Sequence, residues 1–354
     1  MTTPLELFDE TMTEMLAKNK RFLLQRPSYA IKFMDIAKQM KKQSAERARL
    51  LHNENLTVPP ILIISITNDC NLSCTGCYAC AQHRNKAEEM PISEIGRIIN
   101  ESVDLGVSVV MIAGGEPLMK EGILDILQKH SSTIFVLFTN GLLLDTKATE
   151  ILNRTKNIIP IISLEGDQPT TDNRRGNGVY KNTMQIMHRL NEDKMLFGSS
   201  ITLTKNNFND IIHSDYLDHL QQIGNRAAFL IEYVPADGNF DICLTEDQKS
   251  ELRSMEDELT AKYDMLIILL PGDEERYGGC MAAGRGFLHV SSTGALEACP
   301  FAPFSDLNLK DMPLKTALQS KLLREIRDQH HLLKESRGGC ALIENKEWIA
   351  GLNQ

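Results

Sequence analysis

Ile61-Leu-Ile-Ile-Ser-Ile-Thr-Asn-Asp-Cys70-Asn-Leu-Ser-Cys74-Thr-Gly-Cys77-Tyr-Ala-Cys80 decides how the rest of the chain reads. A β-branched apolar run of strand length stops at Thr67-Asn68-Asp69, and three cysteines follow at spacing C-x3-C-x2-C, so a strand delivers a tight cysteine loop. Thiolates are soft ligands that suit iron, and a short loop can present several of them to one iron–sulfur cubane. Three thiolates on a [4Fe–4S] cluster leave one iron open, which points to chemistry rather than storage. A zinc knuckle would use the two C-x2-C steps, Cys74 to Cys77 and Cys77 to Cys80, but a second Cys or His pair does not follow at the usual distance. A small ferredoxin-like module would place a fourth cysteine before a proline in a much shorter chain. Unliganded core cysteines seldom cluster this densely.

Cys70-Asn-Leu-Ser-Cys74-Thr-Gly-Cys77-Tyr78 directly after a strand, with Gly114-Gly115-Glu116-Pro117 ending the next apolar run, resembles the radical S-adenosylmethionine (SAM) superfamily. The departure is Gly76, where many members carry an aromatic residue or histidine. Tyr78, one place later, is the residue expected to supply aromatic cover instead. The resemblance implies a [4Fe–4S] cluster on Cys70, Cys74 and Cys77, with SAM chelating its open iron through amino and carboxylate groups. It further implies a 5′-deoxyadenosyl radical that abstracts hydrogen from an unactivated C–H bond, and an electron donor such as flavodoxin or ferredoxin.

The chain has 354 residues, enough for one large α/β domain and a smaller one, and 42% hydrophobic content is ordinary for a soluble globule. A net charge of −9, with Lys and Arg spread through the chain, gives no electrostatic footprint for nucleic acid. Neither an eighteen-residue apolar run nor a secretory signal occurs, so no transmembrane segment is expected and the protein is expected to be cytoplasmic. In that compartment eight cysteines read as ligands or catalytic thiols rather than as disulfides.

Residues 1–58 read as a helical lead-in, with Leu5, Phe8, Met12 and Met15, then Ile31, Phe33, Met34, Ile36, Ala37 and Met40, at helix spacing. Its basic patch of Lys38, Lys41, Lys42, Arg47 and Arg49 reads as a solvated face, with contact to anionic lipid the sharper alternative. Residues 59–244 contain six apolar segments: Ile61 to Thr67, Val109 to Ala113, Ile134 to Thr139, Ile158 to Leu164, Gly198 to Leu203 and Ala227 to Val234. Strands separated by helix-length stretches predict a parallel sheet, here a partial (β/α)6 TIM-like barrel of the α/β class. Ligands in such sheets gather at the carboxyl ends of the strands.

Those ends carry the candidate site residues. Gly114 and Gly115 let backbone approach a ligand closely, while Glu116 offers a carboxylate; a plain glycine-rich turn before Pro117 is the alternative, and by the resemblance this loop binds the SAM amino group. Asn140 ends the third strand. Ser163 and Glu165 alternate to one side of the fourth and suit ribose hydroxyls, as a similar pair does in related enzymes. Arg175, in Thr171-Asp-Asn-Arg-Arg-Gly176, can grip the SAM carboxylate or a substrate anion bidentately, or serve a salt-bridged surface loop. Asn206, Asn207, Glu232 and Asp237 are further candidates for the pocket.

From residue 245 the pattern changes. Thr245 can cap a charged helix running to about Tyr263, and residues 245–354 are read as a small C-terminal α+β cluster-binding domain. Within it Phe287 to Val290, a Ser-Ser-Thr-Gly294 turn and Ala295 to Ala298 read as a hairpin flanked by Cys280 and Cys299, with Cys340 arriving after the last helices. This resembles the SPASM/twitch auxiliary-cluster region and implies a second [4Fe–4S] cluster on Cys280, Cys299 and Cys340. A fourth cysteine is missing, so either that cluster has an open iron or Cys243, His330 or His331 fills the position. Structural cysteines without a cluster are the alternative, and Cys80 has no assigned role. The expected function is therefore a radical SAM enzyme acting on a small molecule, cofactor precursor or lipid. Peptide modification is the alternative, and a non-catalytic iron–sulfur carrier or scaffold is the rival of another class.

Overall fold

Each of the six apolar segments forms a strand, and the carboxyl ends of all six share one rim. The structure, a computed structural model, describes residues 18–82, 88–270, 279–333 and 340–352. Strands β1 (Ile61–Ser65), β2 (Val109–Ala113), β3 (Ile134–Thr139), β4 (Ile158–Leu164), β5 (Gly198–Leu203) and β6 (Ala227–Glu232) pair in sequence order, all parallel. Their near-continuous apolar composition fits burial on both faces.

The sheet continues past the expected six. Glu246–Lys262 is a helix with a capping box between Thr245 and Gln248, and it returns the chain to β7 (Leu266–Leu270), parallel to β6. The predicted hairpin also forms, as β8 (Phe287–Val290) and β9 (Leu296–Glu297), but it is built onto the main sheet: β8 lies parallel to β1, with Ile61 opposite Phe287 and Ile64 opposite Val290. The result is one curled nine-stranded sheet, order β7-β6-β5-β4-β3-β2-β1-β8-β9, an open partial TIM-like barrel.

Alternate residues feed two cores, as the strand period requires. Leu62, Ile64, Val110, Ile112, Leu137, Ile162 and Leu164 face the larger one. Val109, Val136, Ile159, Ile161 and Phe229 face Phe22, Tyr29, Phe33 and Ile36 of the N-terminal helices. The helix Pro27–Glu54, begun by a proline in its first turn and closed by Asn55 in the left-handed conformation, thus covers one face of the sheet. Two of its buried polar groups are satisfied at the start of β2: Gln43 Nε2 donates to Val107 O at 2.8 Å, and Arg47 donates to Ser108 Oγ at 2.8 Å and to Gly106 O. The earlier part of the lead-in, including Leu5, Phe8, Met12 and Met15, lies outside the described residues.

A polar chain ties the C-terminal hairpin to β1. The buried imidazole of His289 on β8 lies 2.8 Å through Nε2 from Ser65 Oγ and 2.8 Å through Nδ1 from Glu297 Oε2. The carboxylate can only accept, which puts a proton on Nδ1 and, in a neutral ring, leaves Nε2 to accept from the serine hydroxyl. Among the described residues no helix is long and apolar enough to cross a membrane.

Candidate functional site

Four strands hold the cysteine loop. From β2, Gly115 N donates to Thr67 O at 2.7 Å and Glu116 N to Asp69 O at 2.8 Å. From β3, Asn140 Nδ2 donates to Asn71 Oδ1 at 2.7 Å. From the helix after β4, Arg174 Nε donates to Thr75 O at 3.1 Å and Arg174 O accepts from Thr75 N at 3.0 Å. From just past β6, the ring of Tyr233 lies against Gly76. Glu89 secures the stem, accepting from Asn68 N at 2.6 Å and from the Thr67 hydroxyl, with Lys120 3.2 Å away.

The loop gathers its thiols. Burial pushes the Cys70 thiol up, and Cys74, Glu116 and Cys77 add to the push. Burial likewise raises Cys74, against the pull of Arg175 and Arg174. Cys77 caps the short helix Tyr78–Ala81, and Cys80, one turn on, is pushed up to about 11 by burial and then by Cys77, Cys70 and Cys74. Among the described residues no three His, Cys, Asp or Glu side chains converge on a single ion. A cubane asks each thiolate to reach a different iron, so its ligands stand further apart than those of a single ion.

The bare faces of Gly114 and Gly115 are explained by the protein itself. A Cβ would lie 2.5 Å from Thr67 O at Gly114, and 2.2 Å from Asp69 O at Gly115. The glycines are thus required for the close approach to the stem of the cysteine loop. Glu116 is buried and accepts from Leu118 N at 3.1 Å and Thr139 Oγ1 at 2.8 Å through Oε1, and from Asn140 N at 2.8 Å through Oε2. That fills Oε1 and leaves Oε2 one acceptor direction. Burial raises the Glu116 carboxyl above its ordinary range, opposed by these three donors and Arg175.

Glu165 follows β4 and is 1% exposed, yet it carries an ion pair. The helix Gln168–Arg175, capped at its start by Asp167, brings two guanidiniums back to it: Arg175 Nε donates to Glu165 Oε1 at 2.8 Å, and Arg174 pairs with the same oxygen. Burial works against the Arg175 charge, but Glu165 and Cys74 outweigh it and hold the guanidinium more firmly protonated. Oε2 of Glu165 is buried with no hydrogen-bond partner. An acceptor left bare near Cys74 is the fit expected of a pocket that takes a hydroxyl- or ammonium-bearing cofactor. Ser163, expected to share a ribose site with Glu165, has its Oγ 3.3 Å from Ser200 Oγ on β5. Asn207 braces the ends of β4 and β5, donating to Glu165 O and Thr202 O at 2.9 Å each.

The second cysteine set also comes together. Cys299 is buried and its thiol is pushed well up, by burial first and then by Cys340 and Cys280. Arg285 donates to the carbonyls of Gly279 and Cys280 at 2.7 Å each. Of the three residues suggested as a fourth ligand, His330 is beside this set: its carbonyl lies 2.8 Å, and its ring carbon Cδ2 3.2 Å, from where a Cβ on Gly279 would stand. Its Nδ1 bonds Arg327 O at 2.7 Å. His331 stacks edge-on to His330, while Cys243 is placed elsewhere, beside Lys249, Glu232 and Asp237. All eight cysteines are described and none is disulfide-bonded.

Tyr78 reaches towards the second cysteine set. Its ring meets Phe301 edge-to-face, centroids 5.0 Å apart, two residues beyond Cys299. Gln82 donates to Pro300 O at 2.6 Å in the same direction, so the segment after Cys77 bridges the two cysteine sets. Sequence reasoning missed Tyr233, Glu89, Asn71 and the Ser65–His289–Glu297 chain, which act across strands remote in sequence. A serine ending an otherwise apolar strand and a histidine inside Phe287–Val290 were the available signals.

Residues 64–214 match the family profile described as the radical SAM superfamily. The chain is 24% identical over 321 residues to the AdoMet-dependent heme synthase of Methanosarcina barkeri, spanning 83% of this chain and 90% of that one. Identity to Fe-coproporphyrin III synthase of the same organism is 28% over 155 residues, 43% of this chain and 39% of the relative. The fold is shared with Streptococcus suis SuiB bound to precursor peptide SuiA, at TM-score 0.68 and 21% identity, covering 86% of this chain and 77% of SuiB. With the cysteine loop, strand order and sequence profile in agreement, residues 64–214 form a radical SAM superfamily domain.

Proposed function

We propose that this enzyme holds a SAM-binding [4Fe–4S] cluster on Cys70, Cys74 and Cys77 and a second cluster on Cys280, Cys299 and Cys340, and that it acts on a cofactor precursor of the tetrapyrrole class. When bound there, the cluster and SAM would supply radical chemistry at an unactivated C–H bond of the substrate. The observation that carries the reading is the grouping of three thiols beside Glu116 and the Arg175–Glu165 pair, with Glu165 Oε2 left as a buried acceptor.

The chain's own residues bind and orient. The remaining acceptor direction of Glu116 Oε2 suits an ammonium group, and Glu165 Oε2 a ribose hydroxyl. Arg175 sets a fixed positive charge near Cys74, where it favours thiolate and can receive a carboxylate. Asn140 and Ser163 serve the loop and the sheet in this reading, since both are engaged with protein partners. Similarity to a heme synthase along nearly the whole chain favours a tetrapyrrole. The second reading, peptide modification, is favoured by the fold shared with SuiB.

The test is iron and sulfide per chain, with Mössbauer spectra, on anaerobically reconstituted wild type and a Cys70→Ala/Cys74→Ala/Cys77→Ala variant. About eight irons falling to about four is expected if each thiolate set carries one cubane; about four falling to none removes the second cluster. 5′-Deoxyadenosine formation that rises with an iron-bound coproporphyrin supports the substrate class, and no rise with it removes that class.

A further inference from the structure

We propose that Tyr233 is the aromatic residue of the cysteine loop, supplied from the end of β6 in place of a side chain at position 76, and that it positions Cys74 and Cys77 for SAM binding. This rests on the SAM reading above. Gly76 stands immediately before Cys77 with φ +68, in the left-handed region that favours glycine. An ideal Cβ there would lie 2.8 Å from Tyr233 Cε2, 3.1 Å from its hydroxyl oxygen and 3.3 Å from Cζ. The phenol ring therefore occupies the volume into which any side chain at 76 would project.

The ring is fixed at both ends. Its backbone N donates to Leu203 O at 2.8 Å, which continues the β5–β6 pairing by one residue. Its hydroxyl donates to Asp237 Oδ1 at 2.7 Å, and Asp237 also accepts from Asn239 N at 3.0 Å. Burial and Asp237 both hold the phenol protonated, so it remains a donor. The other aromatic side chain near the loop, Tyr78, is committed to Phe301. Gly76 and Tyr233 thus form one unit: the glycine empties a volume and the tyrosine fills it. The turn between Cys74 and Cys77 is set by β6, from across the barrel mouth. The sheet dictates the direction of these thiols before any ligand binds, and Tyr233 is a positioning residue rather than a catalytic one.

The experiment uses the full chain, anaerobically reconstituted, as wild type, Tyr233→Phe, Tyr233→Leu, Gly76→Ala and the Gly76→Ala/Tyr233→Leu double variant. Iron content is measured first. EPR spectra of the reduced protein are then recorded across a SAM titration, giving both a dissociation constant and the spectral change on binding. Tyr233→Phe is expected to stay close to wild type. Tyr233→Leu and Gly76→Ala are expected to retain iron, to weaken SAM about ten- to hundredfold, as misplacement by about 1 Å does, and to alter the spectral change. The double variant is expected to be no weaker than Gly76→Ala, because the clash is gone. Wild-type affinity and spectrum in Tyr233→Leu, or fully additive losses in the double variant, would overturn the proposal. Wild type that assembles the cluster but binds no SAM would overturn the reading beneath it, and this assignment with it.

Discussion

Gly115→Ala separates two explanations of the Gly114-Gly115-Glu116 loop. If glycine is present so that a ligand can approach, the substitution harms SAM binding and leaves the metal-free protein intact. The structure supplies a packing reason: the added methyl would sit 2.2 Å from Asp69 O, 2.7 Å from Asp69 C and 2.9 Å from Asn68 C, all backbone atoms. Gly115 is not among the positive-φ residues, so alanine brings no strain of its own and the effect is steric. Forcing the two segments apart costs about 1–3 kcal/mol by analogy with overpacked cores. It also stretches Gly115 N to Thr67 O and Glu116 N to Asp69 O, at about 0.5–1.5 kcal/mol each. The expected loss is roughly 2–6 kcal/mol in the metal-free chain, read from urea unfolding followed by far-UV circular dichroism. Gly178→Ala is the control: it has open space around its Cβ position but φ +79, and should lose only about 1 kcal/mol. An unchanged unfolding midpoint and slope for Gly115→Ala, with SAM affinity alone reduced, would refute the reasoning.

Glu297→Ala strips the buried His289 of its Nδ1 acceptor and should destabilise the metal-free chain by about 1–3 kcal/mol; a melting curve superimposed on wild type would show that the pair contributes nothing. Burial raises the Glu116 carboxyl, so the folded state holds this proton longer than the unfolded state. Its contribution to stability is therefore fully present below the ordinary carboxyl pKa and is lost as pH rises through the folded value. Stability of wild type relative to Glu116→Gln should fall as pH rises over that window, and a relative stability that rises instead would reverse the assignment. In the metal-free chain the Cys80 thiol is pushed up to about 11, so at mildly alkaline pH iodoacetamide should alkylate it roughly tenfold more slowly than a free thiol, the smaller thiolate fraction being partly offset by the greater nucleophilicity of a more basic thiolate. Mass spectrometry showing free-thiol rates at Cys80 would contradict the clustering of the four thiols.

The strand segments were legible because each is a largely apolar run of strand length bounded by polar or glycine residues; four of the six match the expected bounds, and β1 and β6 start as expected and end two residues early. Leu266–Leu270 has the same character, but it follows a long charged helix, where the change of pattern read as a change of domain. The hairpin around Gly294 was readable from its turn; its docking on β1 was not, because nothing local in Phe287–Val290 names a partner more than two hundred residues earlier. At the site, cysteine spacing announced the loop itself. What braces the loop depends on contacts such as Gly76 with Tyr233 and Asn71 with Asn140, which couple residues through the shape of the sheet. Glu165 was found through its alternation with Ser163, yet it pairs with Arg174 and Arg175, which a helix of eight residues turns back towards it.

The pairing of β8 with β1 also has a consequence in time. During synthesis the strand that carries the cysteine loop emerges early, but the neighbour on its far side, opposite Ile61–Ile64, is not made until residues 287–290 leave the ribosome. Until then β1 presents an unpaired edge, and the buried serine at its end lacks its histidine. So distant a contact slows the final closure, and a nascent chain waiting for it is a ready template for pairing with another copy. Yield of this protein in a cell should therefore respond to the speed of translation and to the supply of chaperones more strongly than the size of its core suggests.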